Sequence, residues 1–127
     1  MISVLSSKNA EEIKALFEKH GRSFCEESGC VIAREGEKAL GYCLYYLNSA
    51  KMTVLEIEPQ NDLSLADGIL RSAIHNAVFK NIMNVYYDEK SPEKVFEKLQ
   101  FILSSDEKSL NSEKLFESCC SCTDKNT

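Results

Sequence analysis

The chain of 127 residues is expected to fold as an α+β (α/β) domain, one mixed sheet with helices packed on it, in the order β-α-β-β-β-α-β-α-β. Three observations predict this. Apolar runs at Cys30–Glu35, Ala39–Asn48 and Lys51–Pro59 follow one another through short turns, as in an antiparallel meander. From Leu65 the apolar spacing becomes helical, through Ile69, Leu70, Ala73, Ile74 and Ala77. The next apolar run, Asn81–Tyr87, leaves no room for a hairpin before it, so it should lie parallel to the strand that precedes the helix.

In chain order, Ile2–Leu5 reads as a first strand. Ser7–Gly21 reads as a helix with Ile13, Leu16 and Phe17 on one face and Gly21 just past its end. "GEKAL" supplies a turn between the first two meander strands. In the third, Leu55 and Ile57 alternate with Glu56 and Glu58, the period of a strand. Ser64 followed by Asp67 fits a capping box, placing the start of the long helix near Ser64. "SPEKVFEKL" is a short helix that Ser91 can cap, with Pro92 in its first turn. "QFIL" is a strand, "SSDEKS" a turn, and "LNSEKLFESCC" fits either a strand or a short helix. One domain over residues 1–117 and a cysteine-containing tail over 118–127 are expected.

Composition narrows the function classes. Apolar residues make up 43% and charged residues 28%, the balance of an ordinary globular protein. The net charge of −5 with scattered bases disfavours a nucleic-acid partner. The apolar runs are too short to cross a bilayer, and the first residues lack a secretory pattern, so a cytoplasmic protein without a membrane partner is expected. Six cysteines are then expected as reduced thiols, with Cys43 packed as a small hydrophobe. Cys119, Cys120 and Cys122 leave three readings open: a metal site, a redox or pairing role, and a thiol-bearing tail.

Leu55–Ala77 places a strand, a proline and a polar loop before a helix amino terminus, an arrangement that can hold phosphate. Leu55-Glu56-Ile57-Glu58-Pro59, the Ile69-Leu70 pair, and Phe96, Leu99, Gln100 and Phe101 together resemble the GCN5-related N-acetyltransferase (GNAT) superfamily over roughly Ile2 to Leu110. In that family an apolar-x-apolar-x-Pro strand leads into an Arg/Gln-x-x-Gly-x-Gly/Ala loop and a long helix. A later short helix ends in Tyr-x-x-Leu-Gly-Phe. Here Gln60 or Asn61 stands near the Arg/Gln, and Ser64 and Ala66 stand where the last two glycines would. With its cysteine-rich end the chain looks more narrowly like small bacterial GNAT-like proteins.

The resemblance implies acetyl-CoA as cosubstrate and a small-molecule or peptide amine as acceptor, and it leaves a homodimer open. It implies that backbone amides of Ser64, Leu65, Ala66, Asp67 and Gly68 hold the pyrophosphate, and that those of the Leu55–Ile57 strand orient the acyl group. Glu56 and Glu58 become candidate bases, with solvent-facing carboxylates as the plain alternative. The family's tyrosine acid is replaced by Phe96, which has no proton to give; Tyr87 or Tyr86 could substitute by position, or simply pack. Asp62 and Asp67 make the loop acidic, and a carboxylate about 5 Å from a phosphate is repulsive by about 1 kcal/mol. His75 reads as a surface residue and His20 as a helix-end residue outside the site. Two rivals follow: a non-catalytic GNAT-like module that binds another ligand or a protein, and thiol or metal chemistry of the tail.

Overall fold

The computed structural model describes residues 2–113. The expectations for the tail, for its three cysteines and for the boundary at 117 lie outside the described residues. Among the described residues, seven strands and three helices occur in the order β1 (Ile2–Ser6), α1 (Ala10–Lys19), β2 (Ser28–Glu35), β3 (Lys38–Leu47), β4 (Met52–Glu58), α2 (Leu63–Phe79), β5 (Val85–Tyr87), α3 (Glu93–Lys98), β6 (Ile102–Ser104) and β7 (Ser109–Leu110). They form one sheet in the order β1-β2-β3-β4-β5-β7-β6. β1 to β4 are antiparallel neighbours, and β5 joins β4 in parallel; the meander of β2 to β4 and the parallel β5 are as the sequence predicts.

The strands alternate, so the sheet carries two cores. Val31, Ala33, Cys43 and Val54 face α2 and α3, packing against Ile69, Leu70, Ala73, Ile74 and Phe96. Cys30, Ile32, Tyr42 and Leu44 face the other way, toward Ile13 and Phe17 of α1. The fully buried Cys43 thiol behaves as the expected small hydrophobe. Among the described residues, no helix is long and apolar enough to cross a membrane.

All three helices end in the same way. Arg22 N donates to Phe17 O and Gly21 N to Glu18 O; Ile82 N donates to Ala77 O and Asn81 N to Val78 O; Phe101 N donates to Phe96 O and Gln100 N to Glu97 O. Each is a Schellman motif, which needs a left-handed residue just past the cap. Gly21, Asn81 and Gln100 fill that place, with φ of 68°, 64° and 62°. Two boundaries move for this reason. The expected strand Asn81–Tyr87 shortens to Val85–Tyr87, because Asn81 and Ile82 are used to close α2. The strand expected at Gln100 starts at Ile102, because Gln100 closes α3. A side chain in this conformation costs about 1 kcal/mol relative to glycine. Gln100→Gly is therefore expected to stabilise the protein by up to about 1 kcal/mol, read as a higher urea midpoint; a lower midpoint would contradict the assignment.

Two caps also differ from expectation. The long helix begins at Leu63, and Asp62, not Ser64, caps it by accepting from Leu65 N at 3.2 Å. Asp67 binds Arg71 one turn on, at 2.8 Å, instead of closing a capping box. Ser91 does not cap α3: its hydroxyl donates to Val54 O at 2.9 Å and accepts from Asp88 N at 3.1 Å.

Candidate functional site

The site begins with an irregularity in β4. Leu44 pairs with Glu56 and Tyr45 with Val54, so Leu55 is an extra residue on β4, a β-bulge. The bulge breaks the alternation that the sequence suggests. Leu55 and Ile57 do not share a face: Leu55 packs with the α1 core and Ile57 with the α2 core. Glu56 is thereby turned toward α1 and buried at 9% exposure, rather than facing solvent.

At the same level the two parallel strands stop pairing. The β4–β5 register ends at Val54–Tyr87, while β4 continues through Glu58. A wedge between parallel strands results, with α2 entering beyond the carboxyl end of β4. Two side chains tie its walls together. Ser91 Oγ holds Val54 O, and Arg22 Nη2 donates to Leu55 O at 3.2 Å. Arg22 also binds Glu56 of β4 at 2.8 Å and, beyond β5, Asp88 at 2.5 Å.

Arg22 reaches this place because the Schellman motif of α1 turns the chain there, and Arg22 is the residue whose amide closes it. Its guanidinium is buried against two carboxylates. Burial opposes its charge, but the bonds to Asp88 and Glu56 outweigh this and raise its pKa above the ordinary value. Burial likewise opposes ionisation of Asp88, and the hydrogen bonds from Arg22 and Ser91 overcome it, holding the carboxyl below the usual range.

The polar row continues across β4. His20 Nδ1 lies 3.8 Å from Glu56 Oε1, and His20 Nε2 lies 2.7 Å from the Tyr42 hydroxyl. Burial, with Glu58, Cys30 and Glu56 adding, pushes the Tyr42 hydroxyl up to about 12. Asp88, Arg22, Glu56, His20 and Tyr42 thus form a file on the α1 face from β5 to β3. Such clusters of ionisable groups are where functional chemistry concentrates.

Glu58 lies on the same face as Glu56, partly exposed, with Gln60 Nε2 3.5 Å from its carboxylate. Tyr87 points away from this file: its hydroxyl donates to Glu93 at 2.5 Å and its ring packs on Phe96 at 5.3 Å. Burial and that bond push its pKa to about 12. Tyr86 lies under Lys51, 5.7 Å from ring centroid to Nζ. His75 is exposed beside Phe79, as expected.

At the α2 amino terminus, the first-turn amides of Leu63 and Ser64 precede the helix's own ladder. The Leu65 amide is held by the Asp62 carboxylate, and that of Ala66 by the Asp62 carbonyl. Asp67 and Gly68 lie inside the helix. A groove of about 720 Å³ runs between this helix start (Asp62, Ser64, Leu65) and β1 (Ile2, Val4). Most of its lining is apolar, with Asp62, Asn61 and Ser64 as the polar members.

Sequence reasoning placed Glu56 and Glu58 beside the wedge and missed Arg22, His20, Tyr42 and Asp88. One signal was available: a helix that ends at Gly21 must turn its next residue, Arg22, back over the helix end. Among the described residues, no group of three or more His, Cys, Asp or Glu is arranged to hold a metal ion.

Solved structures share this architecture. A ribosomal-protein-alanine N-acetyltransferase from Brucella melitensis superposes with a TM-score of 0.60 at 11% identity, over 84% of this chain and 94% of its own. A GNAT-family acetyltransferase from Streptococcus pneumoniae gives 0.54 at 16%, over 79% and 84%. A ribosomal-protein-alanine N-acetyltransferase from Escherichia coli gives 0.55 at 11%, over 86% and 88%. No protein-family model matches the sequence, and no curated protein matches it. The chain has a GNAT-like fold.

Proposed function

We propose that this chain binds acetyl-CoA at the β4–β5 wedge and transfers the acetyl group to a primary amine of a small molecule or peptide. The observation that carries the proposal is the parting of β4 from β5 at the Leu55 bulge, with the α2 amino terminus just beyond. A parallel pair that opens this way exposes backbone of one strand to an extended ligand, and the helix end can meet its phosphates. In this reading the amides of Leu63 and Ser64 face the pyrophosphate, together with the start of the segment Ser64 to Gly68. Amides near Leu55 and Ile57 orient the acyl group. The partly exposed Glu58 carboxylate faces the acceptor and favours a cationic amine, while Glu56 is held behind it by Arg22. Tyr87 is engaged with Glu93 and serves the α3 wall.

A second reading is favoured by a specific observation. Ser91 and Arg22 already occupy Val54 O and Leu55 O, and Asp62 already occupies an amide that a phosphate would use. A wedge bound shut in this way suits a non-catalytic module that engages a different ligand or a protein. Calorimetry with acetyl-CoA separates the two: a measurable Kd supports acyl transfer, and no heat up to millimolar ligand supports the module.

Asp62→Asn sharpens this test. Asparagine caps a helix as well as aspartate, so stability should change by less than about 0.5 kcal/mol. Removing one charge about 5 Å from a phosphate is worth about 1 kcal/mol, so acetyl-CoA should bind about five-fold tighter. Unchanged affinity in a folded variant would place the pyrophosphate away from the α2 amino terminus.

A further inference from the structure

The file of side chains on the α1 face ends in a hydrogen-bonded pair that neither the wedge nor the helix end requires. The Tyr42 hydroxyl and His20 Nε2 are 2.7 Å apart, and the other ring nitrogen of His20 is directed at Glu56 from 3.8 Å. The Glu56 carboxylate can only accept, which favours the His20 proton on Nδ1 and leaves Nε2 to accept from the Tyr42 hydroxyl. In its neutral form His20 then carries its own proton on Nδ1, facing the Glu56 carboxylate. The order is a hydroxyl, an imidazole and a carboxylate, each oriented by the next.

Tyr42 also reaches open space. With Lys19, Leu40, Gly41, Glu58 and Pro59 it lines a cavity of about 370 Å³. Lys19 Nζ stands 5.9 Å from the centre of the Tyr42 ring, so the ring face suits a cation, and an incoming ammonium takes that place as the exposed Lys19 side chain swings into solvent. Glu58 supplies a carboxylate beside it.

We propose that this cavity receives the acceptor ammonium and that Tyr42, backed by His20 and Glu56, takes its proton. This rests on the acyl-transfer reading above. The ammonium N–H bond breaks as a new O–H bond forms on Tyr42. The original Tyr42 O–H bond breaks as an N–H bond forms on His20 Nε2. Tyr42 stays neutral throughout, and the charge moves from the ammonium to the imidazole. The imidazolium is stabilised by Glu56 and by the carboxyl end of α1, which His20 caps. The freed amine forms the C–N bond, the C–S bond breaks, and the nitrogen loses a second proton. One of the two protons finishes on the thiol product and the other in water. Tyr42 is the catalytic residue in this relay, and His20 is a positioning residue that acts through it.

The test measures thiol release from acetyl-CoA by the whole protein with 1,4-diaminobutane and with a peptide carrying a free amino terminus. Tyr42→Phe and His20→Gln are each expected to lower kcat about 100-fold while leaving the KM for acetyl-CoA within about two-fold. The double variant should lose no more than either single one. His75→Gln, on the exposed face of α2, should match the wild type. Ring ¹⁵N spectra add a readout that does not depend on turnover: wild-type His20 should show the Nδ1–H form, and Tyr42→Phe should weaken that preference. Wild-type kcat in both variants would overturn the relay alone, as would an Nε2–H form of His20 in the wild type. A wild type that releases no thiol with either amine would overturn the acyl-transfer reading and the relay with it.

Discussion

Gly41→Ala is expected to destabilise the protein by about 3 kcal/mol, with a clear fall in the urea midpoint. A Cβ at Gly41 would lie 2.3 Å from Glu58 O, 2.7 Å from Pro59 Cδ and 2.9 Å from Ile69 Cδ1. The first of these is backbone, and it belongs to the strand paired with β3. A side-chain neighbour could rotate aside, but a carbonyl can retreat only if the strand moves. Moving β4 here also moves Pro59 and the start of the segment that enters α2, so the helix end would shift with it. Gly29 gives a contrast: its added Cβ would meet the Tyr45 ring at 2.4 Å, and a ring is a more compliant neighbour. Gly29→Ala should therefore cost less than Gly41→Ala. A Gly41→Ala midpoint matching the wild type would show that β3 and β4 separate easily, and would undercut the rigid placement of the α2 amino terminus.

What the sequence makes legible is what depends on period. The meander and the long helix follow from the spacing of apolar residues, the parallel placement of β5 from the lack of room for a hairpin before it, and each is present. What it hides is what depends on one residue being counted twice. A bulge leaves no mark in an alternating pattern: Leu55-Glu56-Ile57-Glu58 reads as a regular strand, with both glutamates on one face, as bases at the cleft or as solvent-facing carboxylates. The extra residue at Leu55 sends Leu55 and Ile57 to opposite cores and draws Glu56 under Arg22. The same limit explains the caps. Ser64 and Asp62 are both good capping residues, and the choice falls on Asp62 because Leu63 already lies in the helix.

The polar file was illegible for a different reason. Its members are Arg22, Tyr42, Glu56 and Asp88, widely separated in sequence, and His20 beside Arg22. Only the sheet order brings β3, β4 and the end of β5 side by side under the end of α1. His20 alone reads as a helix-end histidine, and it is one: it caps α1. The functional possibility comes from Tyr42 lying across from it. The left-handed residue after each helix was half legible. Gly21 announces itself, whereas Asn81 and Gln100 take the same conformation without a glycine to mark it.

Arg22→Met is expected to destabilise the protein by about 3 kcal/mol at neutral pH, because it strands two carboxylates around an apolar side chain. The guanidinium is 8% exposed and Glu56 11%, so water can do little to replace the lost charge at Glu56. Asp88 is 38% exposed and will rehydrate more easily, which holds the estimate at the low end of the range for breaking a buried pair. The effect should depend on pH in a defined direction. Asp88 has a depressed pKa in the folded protein, so its contribution is present above the unfolded aspartate value of about 3.9 and is lost as pH falls through the folded value. Arg22→Met has no such contribution to lose. The gap between wild type and variant should therefore be widest near neutrality and should narrow below about pH 4, as the wild type loses the Asp88 contribution. Adding Glu56→Gln and Asp88→Asn to Arg22→Met should recover part of the loss, since a neutral trio leaves no charge unpaired. A single Arg22→Met variant within about 1 kcal/mol of the wild type at pH 7 would mean that the wedge is held by Ser91 and by packing, and that Arg22 is free to leave when a ligand enters.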